Sequence, residues 1–321
     1  MNGRVYLLVG IDTEGDNQWD AAARAHQTFE NIYALGRLHE RFARRGVKPT
    51  YLVTHPVVTD PRGAEVLRGL GALGDCEIGA HHHAWETPPF TADDLRRHAY
   101  AMSLPIERFE RQLGTLTAAI EDGVGRRPVS YRSGRFGFSA SHVSALENAG
   151  YQVESSVAPL FYEAHKRGPD FVGAPPSPYF LAYDDARRAG ASDVLEVPVS
   201  AALNRRVPGW AETLYARAPR PYTTKRILRK LGIARVMWLR PSYSSLADMK
   251  ALARRLVARR VPQLNLLFHS SEAIAGGSPY NRTEEELRAF LEKLDAFLRF
   301  AIEDLNAVPA TLAEFRAAWA G

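Results

Sequence analysis

Three consecutive histidines, in the stretch GAHHHAWETPPF, are the first residues of the sequence whose types and spacing suggest chemistry. They follow the apolar run of CEIG and therefore stand where a strand would end. Because side chains along a strand alternate between its two faces, His81 and His83 face one way and His82 the other. Two imidazoles on one face can hold a divalent metal ion, whereas a lone histidine there more often caps the strand.

Two carboxylates, Asp12 and Glu14, end the first apolar run in VGIDTEGD and also share a face. Two histidines and one carboxylate are the usual cysteine-free ligand set of a catalytic zinc ion, with a further position left for water. Zinc is therefore the expected ion, although other divalent metals accept the same ligands. Hydrolysis also needs a metal-free carboxylate that takes a proton from the attacking water, and the pair supplies both groups.

Two other apolar runs also end in charged groups. In SYRSGRFG, Arg132 is the residue expected to point inward, where it would pair with a carboxylate or hold an acidic substrate group. Arg135 is either a second substrate contact or a surface residue. In LLFHSSE, His269 is placed to protonate a leaving amine while Glu272 orients its ring, and a histidine that merely caps the strand is the alternative.

The elements that must position these groups alternate between short β-branched runs and helical patterns, which is typical of β/α units and a mainly parallel sheet. Groups at the carboxyl ends of parallel barrel strands meet at one mouth. Eight strands with interleaved helices predict a closed or nearly closed barrel. The predicted strands are RVYLLVGI, KPTYLVT, CEIGAH, VSYRS, YQVESSV, VLEVPVS, RVMWL and LNLLFH.

Helices are predicted in six stretches, and Thr283 with Glu286 forms a capping box for the last of them. No glycine-rich loop follows the first strand, which argues against a nucleotide-binding fold. The helical stretches are NIYALGRLHERFARRG, TADDLRRHAYAM, IERFERQLGTLTAAIEDGVG, SASHVSALENAG, SLADMKALARRLVARR and TEEELRAFLEKLDAFLRFAIEDL.

The segment at about 161–240 breaks this rhythm, and we interpret it as an excursion from a single barrel domain spanning residues 1–321. From Arg205 to Arg260 the chain carries 15 lysines and arginines and only two acidic residues. Within it, TTKRILRKLGI predicts a short basic amphipathic helix that either packs on its own domain or lies on an anionic membrane. We expect no nucleic-acid partner, because no nucleic-acid motif accompanies the charge.

Composition limits the class of protein, the kind of metal site and the cellular location that the sequence allows. The 321 residues, 45% hydrophobic and 24% charged, are ordinary for a soluble globular protein. Cys76 is the single cysteine, so an intrachain disulfide and a thiolate-rich zinc site are excluded. No apolar run approaches the ~20 residues that cross a bilayer, and the N-terminal residues do not resemble a secretion signal. The sequence thus predicts a cytoplasmic protein, with peripheral contact to the inner membrane as a further expectation.

Taken in order, these motifs resemble the polysaccharide deacetylase superfamily, the NodB-homology fold of carbohydrate esterase family 4, and especially its lipopolysaccharide-biosynthesis branch. The resemblance covers essentially the whole chain. It implies a distorted, incomplete (β/α) barrel, usually of seven strands, and metal-dependent hydrolysis of an N-acyl group, typically the acetamide of a sugar. The matching stretches are GIDTEGD, EIGAHHHAWETPPF, YRSGRFGFS, YQVESSVAP, LEVPVS, LNLLFHSSEAIAGGSPYNRT and PATLAEF.

The resemblance also implies residue roles. It makes Asp12 the catalytic base, Glu14 a metal ligand, Arg132 the arginine of its motif and His269 the late histidine. Here Asp-Thr-Glu replaces the adjacent aspartates of the common family pattern, so either acid remains a candidate ligand.

The family's two metal-binding histidines fall on His81 and His83, but with a different spacing. The common motif separates them by three residues, and the position four after His81 is Trp85. The choice of His83 therefore rests on strand alternation, and His82 stays an alternative.

These expectations point to an N-deacetylase acting on a nucleotide- or lipid-linked glycan precursor. Alternatives are an amidase of the same fold that opens cyclic ureides and a metal-free barrel that only binds glycans. Four aromatic residues are candidates for stacking on sugar rings, and each is equally explained as a core residue: Trp85, Phe136, Tyr243 and Tyr280.

Overall fold

A curled, open sheet forms the centre of the protein in the computed structural model, which describes residues 3–91, 99–205, 207–218 and 234–320. The strands of these ranges are β1 (Tyr6–Thr13), β2 (Pro49–Val53), β3 (Glu77–His82), β4 (Ser130–Ser133), β5 (Val153–Glu154), β6 (Tyr179–Phe180), β7 (Leu195–Glu196), β8 (Ala201–Leu203), β9 (Val236–Trp238), β10 (Gln263–His269) and β11 (Val308–Pro309).

The main sheet has the strand order β10-β1-β2-β3-β4-β5-β7-β6, and β11 also pairs with β1. All its pairs are parallel except β6 with β7. The sheet curls without closing, since β10 and β6 stand at its two ends. A distorted, incomplete (β/α) barrel is therefore confirmed as the fold class.

Helices pack around this sheet. Their bounds in the described ranges are α1 (Ala21–Ala25), α2 (Glu30–Tyr33), α3 (Leu35–Ala43), α4 (His55–Thr59), α5 (Pro61–Leu73), α6 (Ile106–Val124), α7 (Val143–Asn148), α8 (Gly209–Arg217), α9 (Leu246–Ala258), α10 (Glu284–Arg299) and α11 (Leu312–Ala320). The predicted capping box at Thr283 and Glu286 begins α10 and is confirmed.

Burial explains the apolar character of these elements. Seven of the eight residues of β1 and all five of β2 are buried, as expected for strands covered on both faces. The long helix α6 turns one apolar stripe to the core, which includes Phe109, Leu113, Leu116 and Ile120. The core therefore lies between the helices and the sheet.

All eight predicted strands occur, but one prediction of their arrangement is wrong. The stretch RVMWL forms β9, which pairs antiparallel with β8 in a separate two-stranded sheet and is not a barrel strand. The reason is local, because the returning chain of the excursion forms a ladder with β8 and reaches β10, at the end of the main sheet, only through isolated hydrogen bonds. β5 and β7 are also shorter than predicted, with two residues each.

Isolated hydrogen bonds link β10 to the chain around β8 and β9. Ser200 donates its amide to the carbonyl of Asn265 at 3.1 Å, and Leu267 donates to Leu239 at 3.0 Å. The side chain of Asn265 adds hydrogen bonds to Ser155 and Val197 at 3.0 Å each. We call this line of contacts the seam, and it brings β9 and the residues after it to the barrel mouth.

Two predicted helices fall wholly or partly outside the described residues. Residues 92–98 of TADDLRRHAYAM are not described, and Ala101–Ser103 form a short 3-10 turn. The basic stretch TTKRILRKLGI lies entirely outside the described residues. Among the helices that are described, none is long and apolar enough to cross a membrane.

Candidate active site

Strand register brings the predicted residues to one mouth of the barrel. Asp12 at the end of β1 stands opposite His269 at the end of β10. His81 on β3 stands opposite Arg132 on β4. Since β2 separates β1 from β3, the carboxylates and imidazoles approach one another across an intervening strand. The curl of the sheet is what makes this approach possible.

Glu14, His81 and His83 form a buried cluster at this mouth, with one ligand atom of each within 4.8 Å of the others. The Oε2 of Glu14 lies 2.9 Å from Nε2 of His83 and 3.8 Å from Nε2 of His81. His81 directs its Nδ1 to the carbonyl of Arg132 at 3.1 Å, which leaves Nε2 to face the carboxylate. Burial lowers the pKa of His81 to about 4 and of His83 to about 3.

This cluster fits a divalent cation. Both imidazoles are neutral at pH 7 and present a nitrogen to the same carboxylate, which is the donor set that zinc accepts. A hydrogen bond from the second ring nitrogen of a ligand histidine to a carbonyl is the usual way of fixing its orientation, and His81 has one.

His82 points away from the cluster, as strand alternation predicts. Its Nε2 lies 2.8 Å from Oε1 of Gln112 on α6. The ring packs edge-on against Phe109, with centroids 5.4 Å apart. Gln112 in turn donates to the carbonyls of Ala84 and Pro89 at 3.0 Å each. His82 thus contacts the helix layer, and Gln112 ties α6 to the loop that follows β3.

Arg132 is fully buried and holds Asp12. Its Nη1 donates to Oδ1 of Asp12 at 2.7 Å, while Nε donates to the carbonyl of Ser155 at 2.8 Å. Burial alone would raise the pKa of Asp12, but the charge of Arg132 outweighs it, with help from His81 and His269, and the pKa falls below its usual range. Asp12 is therefore ionised, with Oδ2 left facing the mouth.

His269 lies across the mouth from the cluster. Its Nε2 is 3.9 Å from Oδ2 of Asp12 and 3.6 Å from Oε1 of Glu14. Its Nδ1 lies 2.7 Å from Oε1 of Glu272, which is the contact that the sequence predicts. Arg240 donates to the same carboxylate oxygen at 3.0 Å. Burial opposes ionisation of Glu272, but Arg240 and His269 lower its pKa to about 2.

A cleft of about 420 Å³ opens above these groups. Trp85, Arg135 and Phe136, all predicted substrate contacts, line it, and so does Tyr243. Tyr280 does not belong to the lining: it stands behind Tyr243, with the two hydroxyl oxygens 2.9 Å apart.

Sequence reasoning missed several residues of the cleft. Arg240 follows a predicted strand, so the rule that led to Arg132 could have found it. Trp19, Arg24, Phe161 and Trp238 also line the cleft. Trp19 lies in the connection after β1 and Arg24 on the short helix α1, where no periodic pattern marks a residue as inward-facing.

Comparison with known proteins establishes the fold. The sequence matches no protein-family model, and a sequence search of curated proteins finds no match. In structure it is similar to a protein assigned as a glycoside hydrolase/deacetylase from Parabacteroides distasonis, with a TM-score of 0.67, 14% identity and coverage of 99% of this chain and 71% of that one.

Two further structures share the architecture. A protein assigned as a polysaccharide deacetylase from Mycobacterium smegmatis has a TM-score of 0.55 and 18% identity, over 99% of this chain and 91% of that one. A GH57-type branching enzyme from Pyrococcus horikoshii has a TM-score of 0.54 and 14% identity, over 99% of this chain and 71% of that one. The chain thus shares the fold of these barrels, which serves more than one chemistry.

Proposed function

We propose that this protein is a metal-dependent carbohydrate N-deacetylase. The observation that carries the proposal is the convergence of Glu14, His81 and His83 on one point, with Asp12 and His269 beside it. Fold likeness alone would not choose between deacetylation and glycosidic chemistry. A ligand set next to an unliganded acid and a histidine favours hydrolysis of an amide.

Glu14, His81 and His83 would hold the cation, with zinc as the expected ion. A bound divalent cation polarises the acyl oxygen and lowers the pKa of water from 15.7 towards ~7. Asp12 is assigned the base. Arg132 occupies its Oδ1 and keeps the group ionised, so Oδ2 is free to accept the proton of the attacking water.

His269 is assigned the acid that completes the reaction. As the water oxygen bonds to the acyl carbon and the carbon–nitrogen bond breaks, the departing amine must gain a proton. Glu272 holds Nδ1 of the ring, which leaves Nε2 to face the reacting groups and to deliver that proton. The products are a carboxylate, acetate for an N-acetyl group, and a free amine.

Aromatic side chains support a sugar as the substrate. Phe136 stacks near Trp238 with centroids 6.0 Å apart and meets Phe161 at 5.3 Å, so one wall of the cleft is aromatic. Trp85 stands on the side of the histidines, with its ring centroid 4.1 Å from that of His83. Flat apolar faces of this kind suit the C–H faces of a pyranose.

We further propose a nucleotide- or lipid-linked glycan precursor of a cell-surface polysaccharide or lipopolysaccharide as the substrate, with peripheral contact to an anionic membrane. The basic composition between residues 205 and 260 supports both ideas. Trp210 and Leu214, on one face of α8, are 72% and 66% exposed, as expected for a helix that meets a lipid surface.

Acetate release from N-acetylated sugars, with zinc present, tests the reaction. We expect turnover by the wild type, loss of turnover with retained zinc in Asp12→Asn, and loss of zinc in Glu14→Gln. The opposite pattern would exchange the two roles. Failure of the wild type to release acetate from any N-acetyl sugar tried, while it opens a cyclic ureide, would replace the proposal by the amidase alternative.

Zinc affinity of two histidine variants tests the ligand set. His83→Ala should weaken zinc binding far more than His82→Ala, because only His83 faces the carboxylate of Glu14. Equal losses in the two variants would show that the ligand set is wrong.

A further inference from the structure

Two arginines at the cleft lack an acidic partner among the described residues. Arg24 and Arg135 both line the cleft, and neither forms an ion pair with a described carboxylate. The neighbouring charges are matched instead: Asp12 with Arg132 at 2.7 Å, Lys166 with Glu163 at 2.9 Å and Arg240 with Glu272 at 3.0 Å. The charge of Glu14 acts on Arg135 and that of Arg24 acts on the buried Glu86, but neither acid lies within ion-pair distance of these two guanidinium groups.

Arg135 is held in place by local backbone and by an aromatic ring. Its φ of 56° lies in the left-handed region, which an arginine rarely adopts, and the next residue, Phe136, has a φ of 58°. The guanidinium carbon lies 4.6 Å from the ring centroid of Trp85, which itself packs on His83. An unfavourable backbone at a site is expected where the position of a side chain matters.

Arg24 reaches the cleft from α1, after the connection that follows β1. Its Nη1 donates to the carbonyl of Gln18 at 2.7 Å, which fixes the side chain and, among the described residues, uses one of its five donors. Burial lowers the pKa of Arg135, and the charge of Arg24 lowers it further, which indicates that the two cations repel each other. Because two neighbouring positive charges repel each other, binding of an anion between them is favourable.

We propose that Arg24 and Arg135 form a subsite for an oxyanion carried by the substrate, a phosphate ester or a carboxylate, next to the acyl group that is cleaved. The inference rests on the proposed function for its description of the substrate. A neutral N-acetyl sugar has no group that needs two guanidinium ions. Phosphate and carboxylate oxygens match the planar donor fork of arginine and form charge-assisted hydrogen bonds with it.

Binding of sugars without an amide tests the subsite independently of turnover. The probes are glucose 1-phosphate, glucuronic acid and the neutral methyl glucoside, titrated into the protein of residues 1–321 by calorimetry. We expect at least one anionic probe to bind about tenfold or more tightly than the neutral one, the range expected of hydrogen bonds to a charged group. The preferred anion tells whether the natural group is a phosphate or a carboxylate.

The variants Arg24→Gln and Arg135→Gln should each remove most of this preference. Arg44→Gln is the matched control, since Arg44 is exposed, pairs with Glu40 and does not line the cleft, and it should leave the preference unchanged. If Arg135→Gln does not fold, Arg135→Lys keeps the charge without the fork and should retain only part of the preference.

Equal binding of neutral and anionic probes, or a preference that survives in both glutamine variants, would overturn the subsite. These outcomes are separable from failure of the proposed function. Acetate release without any preference for an anionic substrate would support the deacetylase proposal and contradict the subsite. Arginine-dependent binding of an anionic sugar without acetate release would support the subsite and contradict the deacetylase proposal.

Discussion

At the scale of single residues, the site depends on space as much as on charge. Gly134 follows β4 where the ring of His83 comes closest to the backbone, and a Cβ there would lie 2.2 Å from Nδ1 of that ring. At Gly10 a Cβ would lie 2.6 Å from Nη2 of Arg132, whose guanidinium is held by three hydrogen bonds. Neither the ring of His83 nor the guanidinium of Arg132 can move aside without losing its contacts.

Gly134→Ala should therefore displace the ring of His83 and weaken zinc binding about 10- to 100-fold, the usual cost of disturbing the support of a metal ligand. Zinc affinity measured by competition with a chromogenic chelator checks this. The control is Gly114→Ala on α6, where a Cβ meets nothing within 4 Å. It should leave zinc affinity unchanged and raise the free energy of unfolding by about 0.5–1 kcal/mol. Unchanged zinc affinity in Gly134→Ala would contradict the close approach.

Residue types and spacing predict many of the site residues. They do not predict contacts between residues that are distant in the sequence. Alternation along β3 separates His82 from its neighbours without any structure, and polar residues at strand ends point to Asp12 and His269. Arg24 could not be predicted in this way, because it reaches the cleft through a connection whose path depends on packing. The two glycines were missed as well, since a close approach leaves no signal in a single sequence.

At the scale of elements, long periodic runs were predictable and short ones were not. Long apolar runs such as those of β1 and β10 are compatible with one structure, the buried parallel strand. β5 and β7 have only two residues each. The strand with which RVMWL pairs depends on where the chain of the excursion returns. Composition specifies that such a stretch is extended but not which strand it pairs with.

The pair β5–β7 carries an unusual polar contact. Their register places Glu154 directly opposite Glu196, and both side chains are fully buried. Burial raises the pKa of Glu196 well above its usual 4.5, and the charge of Glu154 raises it further. Two carboxylates buried side by side cannot both ionise readily, so one of them retains a proton near neutral pH.

Glu196→Gln should therefore make stability less sensitive to alkaline pH. A carboxyl whose pKa is raised by folding stabilises the native state fully below the unfolded pKa, and this contribution is lost as pH rises towards the folded pKa. The wild type should lose up to about 1.4 kcal/mol per pH unit for this proton, and the variant should not. Urea unfolding at pH 5 and pH 8 checks this, and an equal difference between the two proteins at both pH values would contradict it.

At the scale of the whole molecule, a cation bound by β1 and β3 would join two strands that are not neighbours. Zinc at 100 times its dissociation constant should stabilise the fold by about 2.7 kcal/mol and raise the melting temperature. Differential scanning calorimetry with zinc, and then with excess chelator, checks this. His83→Ala should abolish the rise. His39→Ala is the control for the second group of donors, His39, Asp75 and Cys76. A rise lost in His39→Ala and kept in His83→Ala would place the ion elsewhere.

The seam has a consequence for how this barrel could acquire new substrates. The proposed cation ligands and Arg132 lie on or next to the continuous ladder from β10 through β4. Trp238, Arg240 and Tyr243 reach the cleft from the other side of the seam, which consists of a few isolated hydrogen bonds. One wall of the cleft therefore resides on a separately replaceable part of the chain, although Arg240 also holds Glu272 and belongs to the reaction centre. Exchanging the stretch between β8 and α9 for that of another barrel, with Arg240 retained, would be a way to alter specificity while the reaction centre is preserved.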